Sequence, residues 1–313
     1  MQYKDKGGED ETGLTKHFYG LNRNLKIVHY IKQLINLKEK KMKIKRIAIF
    51  ALAVALCFTA SMVWAGNIVI KGSTTVLPIA QKVAEVYMKQ NPDVKISISG
   101  GGSGNGIKAL IDGSTDIADS SRFIKPKEVK LAVEKGRYPV PFAVAYDCII
   151  PVVHPSNDIK NLSMDQLKDI YMGKVKNWKE VGGPDRPVVV ISRDTSSGTY
   201  EVWHGKVLKK QKVFPGALLQ ASNGAVVQAV SKNKNALGYI GLGYLDKSIK
   251  AVMVNNIVGS EETTLNGTYP VSRPLYMFTP GWPKGDVLNF INFVLNPEKG
   301  QKYVSDAGYV PLY

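Results

Sequence analysis

The chain has 313 residues, with 42 Lys and Arg against 26 Asp and Glu, a formal charge of +16, and two cysteines. That length supports a sizeable core and two modest domains, and the basic balance suits an anionic ligand. Two cysteines exclude a disulfide framework, and the lack of a Lys/Arg run interleaved with aromatics argues against nucleic acid.

Residues 1–41 are polar and basic and precede a second possible start at Met42; they read as a mis-started extension outside the fold. From Met42 the order is a basic Met-Lys-Ile-Lys-Arg, an apolar run from Ile47 to Ala60, and Val63-Trp64-Ala65. This is the pattern of a secretory signal peptide over 42–65, cleaved after Ala65. The apolar run is short for a membrane span. Leu56 precedes Cys57 where a lipoprotein signal needs a small residue, so the pattern predicts export of a soluble protein to the periplasm. The mature 248 residues would hold 30 basic and 21 acidic residues, a net charge of +9, with Cys148 as the single thiol. Within Cys148-Ile149-Ile150-Pro151-Val152-Val153 it reads as a small buried hydrophobe.

The mature part alternates strand and helix signals, as an α/β fold with a mainly parallel sheet does. Strands are predicted at 68–71, 94–98, 116–120, 143–153, 188–192, 237–240, 250–254 and 274–279. Helices are predicted at 77–90, 105–112, 126–135, 163–171, 198–210, 222–232, 285–295 and 297–307. Ser163-Met164-Asp165-Gln166 is a capping box, and Pro297 behind Asn296 fits a first-turn proline. Trp178, Trp203 and Trp282 are assigned to packing.

Three strand–loop–helix turns carry anion-binding chemistry. Gly72-Ser73-Thr74-Thr75 follows the first strand, Gly100 to Gly106 the second, and Ser192 to Thr199 the apolar run from Val188 to Ile191. Free N–H groups and the positive helix end attract anions. Arg193 adds a planar fork, Ser197 and Thr199 add hydroxyls, and Gly198 and Thr199 add helix-end N–H groups. Asp194 is placed to hold Arg193. In the glycine-rich loop, Ser103 and backbone N–H groups such as that of Gly104 approach a small anion; the spacing fits neither a Rossmann fingerprint nor a P-loop. At the end of the third strand, Asp119-Ser120-Ser121-Arg122 offers a further wall: Ser121 is favoured as a ligand, and Arg122 is either a ligand or a structural ion pair.

Catalysis through Ser197 would need a base. The mature chain has only His154 and His204, with His204 two turns along the helix and pointing away, and no G-x-S-x-G elbow. The histidine and cysteine pattern also argues against zinc.

These motifs, with Asp116-Ile117-Ala118 ahead of Asp119, Asn177-Trp178, Ala236-Leu237-Gly238-Tyr239 and Gly308-Tyr309-Val310-Pro311-Leu312, resemble the periplasmic phosphate-binding protein of the ABC phosphate importer across essentially all of 66–313. The resemblance implies a two-lobed α/β fold of the type II periplasmic-binding-protein kind, with the ligand in the inter-lobe cleft. The lobes are expected to divide as 66–153 with a return segment 249–313, and 154–248. The implied phosphate ligands are Thr74, Thr75, Ser103, Ser121, Arg193, Ser197, Gly198 and Thr199, with Ser73, Gly104, Asp119 and Arg122 in reserve. The implied partners are inorganic phosphate and the membrane permease of the importer. The protein is expected to be a monomer without cofactor, metal or catalysis. The alternatives are a receptor for another tetrahedral oxyanion, sulfate or molybdate, and a phosphatase-like hydrolase using Ser197. One departure stands out. Well-known members carry an Asp, acceptor of the phosphate proton, where this chain has Ser121, and Asp119 lies two residues earlier.

Overall fold

The computed structural model describes residues 66–313 and, ahead of them, residues 37, 38 and 40. Apart from those three positions, the extension and the export signal lie outside the described residues. Strands β1 (Asn67–Gly72), β2 (Lys95–Ser99) and β3 (Ile117–Ser120) alternate with helices α1 (Leu77–Gln90), α2 (Ser103–Asp112) and α3 (Pro126–Glu134). The long β4 (Val140–Val153) follows, then β5 (Asn161–Leu162), α4 (Met164–Tyr171), β6 (Val189–Arg193), α5 (Gly198–Lys206), β7 (Leu218–Gln220), α6 (Asn223–Ser231) and β8 (Ala236–Gly241). Short strands β9 (Lys250–Ala251) and β10 (Met253–Val254), α7 (Glu261–Leu265), β11 (Ser272–Thr279), α8 (Gly285–Leu295) and α9 (Gly300–Asp306) complete the chain.

The main sheet runs β2-β1-β3-β11-β4-β8-β6-β7, with β9 on the far part of β4. The β1–β2, β1–β3, β6–β7 and β6–β8 pairs are parallel, whereas β4 and β11 pair antiparallel to their neighbours. Val140–Cys148 of β4 lies against β11, and Ile149–Val153 lies against β8. One strand therefore serves two sheet halves, β2-β1-β3-β11-β4 and β7-β6-β8-β4, whose three outer strands follow the same order.

The apolar core divides accordingly. Ile68, Ile70, Ile79, Val83, Leu275, Met277 and Phe290 belong to one cluster, extended by Ile107, Leu110, Ala118 and Phe278 around α2. Ile149, Val152, Tyr171, Trp178, Trp203, Leu237 and Tyr239 belong to another. Residues 148–153 and the buried positions between 249 and 271 pack into this second cluster, not the first, because β4 crosses from one core to the other.

Local chemistry sets the helix starts that matter. Pro78 occupies the first turn of α1, and Ser197 caps α5 by accepting the Tyr200 N–H at 3.2 Å. The capping box at Ser163 is present, with both reciprocal bonds to Gln166. Helix α5 stops at Lys206 rather than 210, since Lys209 and Lys210 take positive φ values of 50° and 66°. Helix α9 begins at Gly300, so Pro297 lies in the preceding turn, where Asn296 Oδ1 accepts the Glu298 N–H. Trp178 and Trp203 are fully buried, but Trp282 is 69% exposed. Cys148 is buried, and desolvation pushes its thiol up to about 12, so it packs as a hydrophobe.

Candidate anion-binding site

The loops after β1, β2, β3 and β6 end at the carboxyl ends of parallel strands, where ligands of open α/β sheets bind. They meet. Thr75 Oγ1 lies 2.9 Å from Thr199 Oγ1, Ser103 Oγ lies 3.2 Å from Ser121 Oγ, and Arg193 Nη2 donates to Thr74 Oγ1 at 3.3 Å. Gly104 N–H also donates to Ser196 O at 2.9 Å. All eight primary candidates are thus gathered at one place, and Thr74, Thr75, Ser103, Ser121, Arg193, Ser197 and Thr199 are all buried.

Two glycines make the approach possible. A Cβ on Gly198 would stand 2.7 Å from Ser121 Oγ and closer still to Ser103 Oγ, so only glycine lets the α5 N-terminus reach the serine pair. Gly102 has φ +96°, and a Cβ there would stand 2.6 Å from Ser196 Oγ. Because Ser197 caps Tyr200, the Gly198 and Thr199 N–H groups remain at the helix end, without partners inside the helix.

Arg193 is 1% exposed. Its Nε donates to Gln220 O and its Nη2 to Ala221 O, both at 3.0 Å, while the buried Nη1 has no hydrogen-bond partner in the protein. Burial pulls its pKa down from the usual value, which Tyr239 and Asp194 partly oppose. A buried, unpaired donor costs about 1–3 kcal/mol, and more when charged. That cost is offset only if an acceptor sits against Nη1. Asp194 does not hold Arg193: its Oδ1 accepts the Ser196 N–H at 2.8 Å and the Ser196 hydroxyl. Backbone carbonyls hold the fork instead.

The hydroxyl protons can be counted. Each hydroxyl has one proton and two acceptor positions. Asn223 Oδ1 accepts the Gly241 N–H at 3.3 Å, which fixes its Nδ2 as the donor to Thr74 Oγ1 at 3.3 Å and Thr75 Oγ1 at 3.0 Å. Thr74 Oγ1 therefore receives two donors, from Asn223 and Arg193, and its own proton is left for a ligand. Thr75 Oγ1 receives Asn223 at 3.0 Å and shares one Arg273 proton, at 3.3 Å, with Thr199 Oγ1. On the other side, Ser103 Oγ accepts the Ser121 N–H at 3.0 Å and shares a proton with Ser121 Oγ. When Ser121 donates to Ser103, both of its acceptor positions are open. Ser121 is the hydroxyl in this ring best placed to accept a proton from an anion.

The reserve candidates fall elsewhere. The Arg122 guanidinium is bound two-pronged to Glu128 at 2.7 and 2.8 Å, with Glu201 2.9 Å from Nε, so it is a structural ion pair. Asp119 is buried beside the core face of Ile117 and Met277, its carboxyl bonds to none of the site hydroxyls, and Oδ1 has no partner. Burial pushes its pKa well above the usual carboxylate range. Ser73 Oγ accepts the Thr75 and Val76 N–H groups and orders the first loop. Ser197 bonds to neither histidine: His154 pairs with Ser156, and His204 stacks on Tyr200. Among the described residues no cluster of His, Cys, Asp and Glu could hold a metal ion, and no helix is long and apolar enough to cross a membrane.

Sequence reasoning missed Asn223, Asp147 and Arg273. Arg273 on β11 is ion-paired to Asp147 on β4 at 2.7 and 2.9 Å, and both are buried. Desolvation raises the Asp147 pKa, against the opposing pull of Arg273. A charged residue inside an apolar strand must be paired, so opposite charges in two strands otherwise rich in apolar residues were the available signal.

A ring of donors around a buried Arg, between two α/β halves that share one strand, defines a periplasmic-binding-protein-like receptor. In agreement, the model of the PBP superfamily domain matches residues 63–298. The phosphate-binding protein PstS of Staphylococcus epidermidis is 37% identical over 254 residues, covering 77% of each chain. The PstS of Bacillus subtilis is 30% identical over 251 residues, covering 79% of this chain and 81% of its own. Among solved structures, a phosphate ABC transporter substrate-binding protein with bound phosphate from Clostridium perfringens is similar, with 35% identity and a TM-score of 0.74 over 79% of this chain and 100% of its own. An ABC-type phosphate transport receptor from Vibrio cholerae gives 32% identity and a TM-score of 0.65, covering 78% of this chain and 99% of its own. The chain belongs to the PstS family of phosphate-binding proteins, within the PBP superfamily.

Proposed function

We propose that this protein is a receptor that captures inorganic phosphate between two lobes and delivers it to an ABC permease. The observation that carries the reading is the unpaired, buried Arg193 Nη1 inside a ring of hydroxyls whose protons are left for a ligand. Such a ring suits a tetrahedral anion of several acceptor oxygens. The Ser121 lone pairs suit one that still carries a proton, which favours phosphate over sulfate or molybdate. Ligand residues are Thr74, Ser103, Ser121, Arg193, Ser197, Gly198 and Thr199, with Thr75 supporting Thr199 from behind. The lobes divide where the cores divide, inside β4 and ahead of β11. Export as a soluble monomer to the periplasm, after cleavage at Ala65, completes the reading.

The relatives are receptors rather than enzymes, and Ser197 has no histidine partner, so no ester turnover is expected. Calorimetric titration of the purified protein with phosphate should give one site per chain. Absence of binding, or hydrolysis of a chromogenic phosphate ester that is lost in Ser197→Ala, would overturn the reading.

A further inference from the structure

We infer that Arg273 is a positioning residue for the bound anion: held by Asp147, it fixes the proton of Thr199 toward the ligand. The inference rests on the phosphate reading above. Arg273 reaches three of the loops that build the site. Nη1 donates to Ser121 O at 3.1 Å, and Nη2 donates to Thr199 Oγ1 at 3.0 Å and to Thr75 Oγ1 at 3.3 Å. The other Nη2 proton and Nε are taken by Asp147 Oδ2. The carboxylate leaves the guanidinium one orientation, and that orientation points a donor at the junction of the two threonines.

The consequence follows from the proton count. The one Nη2 proton not taken by Asp147 lies nearer Thr199 Oγ1 than Thr75 Oγ1, 3.0 against 3.3 Å, and Thr75 Oγ1 also accepts from Asn223; with an anion against Thr199, the short contact between the threonines runs from Thr75 as donor. Thr199 Oγ1 then accepts from both Thr75 and Arg273. In that arrangement its acceptor positions are full, and its own proton is directed at the anion. Without Arg273, the Thr199 hydroxyl could turn an acceptor position toward the ligand, which would repel an anionic oxygen. The pair acts through geometry and not through net charge, since Asp147 neutralises Arg273.

That neutrality supplies the test. Asp147→Asn combined with Arg273→Gln keeps the charge of the site and leaves no unpaired buried ion. Phosphate binding is measured by calorimetry for four proteins: wild type, the double variant, Thr199→Val, and all three changes together. The double variant should bind phosphate about tenfold more weakly, the scale of one lost hydrogen bond to a charged group. In the Thr199→Val background the same two changes should cost less than about twofold, because the hydroxyl they orient is gone. Full additivity, or unchanged affinity in the double variant, would overturn the inference. If the double variant does not fold, Arg273→Lys gives the same cycle: it keeps the charge, and its expected loss must likewise vanish with Thr199→Val. Wild-type protein that binds no phosphate would instead refute the functional reading, so the two failures are distinguishable.

Discussion

Replacing Ser121 by Asp tests how the site tells phosphate from sulfate. Ser121 Oγ lies 3.2 Å from Ser103 Oγ and beside the Gly198 approach, with no charged partner of its own. A serine hydroxyl can accept the proton of phosphate or, by turning, donate to an unprotonated sulfate oxygen. An ionised carboxylate can only accept. It would face sulfate as an unpaired, like-charged acceptor, at a cost of about 1–3 kcal/mol for a neutral group and more for a charged one. Ser121→Asp should therefore raise the phosphate-to-sulfate affinity ratio at least about tenfold. The wild-type ratio should favour phosphate by a smaller margin. The assay is competition by sulfate against labelled phosphate at neutral pH, in both proteins. An unchanged or lowered ratio in Ser121→Asp would refute the proton bookkeeping at this position.

Arg193→Ala removes the buried fork and should weaken phosphate at least about tenfold. Arg193→Lys keeps the charge but not the two-pronged geometry and should recover only part of the loss; calorimetry decides, and an unchanged dissociation constant rejects the role. Gly198→Ala sets a Cβ 2.7 Å from Ser121 Oγ; overpacking of about 1–3 kcal/mol predicts phosphate binding weaker by about 5- to 150-fold, and wild-type affinity would contradict the close approach. Asp119 is raised well above its ordinary 3.8 by burial, so the folded state holds its proton to higher pH than the unfolded chain. Its stabilising contribution is present at low pH and is lost as pH rises above about 4. Thermal melts of Asp119→Asn should therefore gain on wild type as pH increases through that range, and parallel curves would show that the carboxyl is not desolvated.

Much of the site was legible because its chemistry is local. A strand, a turn rich in glycine and hydroxyls, and a helix lie within a few residues of one another, so the Gly72–Thr75 loop, Ser103 and the Arg193–Thr199 element could be read from spacing. Helix α1 matched its predicted bounds because Pro78 marks its first turn. The residues that were missed act over long separations. Arg273 meets Asp147, Thr199 and Thr75 across 126, 74 and 198 positions, and no local pattern encodes such pairs. Arg122 stayed ambiguous for the same reason, since Glu201 comes from helix α5, far along the chain. Strand β7 was missed because it is three residues long with Leu218 and Leu219 exposed, which leaves no buried alternation to detect. Strand β4 reads as one apolar run although its two parts pack into different clusters, a division that no local pattern marks.

The central claim is that Arg193 and the surrounding hydroxyls hold phosphate between the two halves of the sheet. A crystal structure of the protein grown with phosphate tests it most directly. The anion should lie inside the ring, one oxygen within hydrogen-bond distance of Arg193 Nη1 and others on Thr74, Ser103, Thr199 and the Gly198 N–H, with its proton on Ser121. A phosphate bound elsewhere, or a ring closed on itself with Arg193 Nη1 turned to a protein acceptor, would contradict the account.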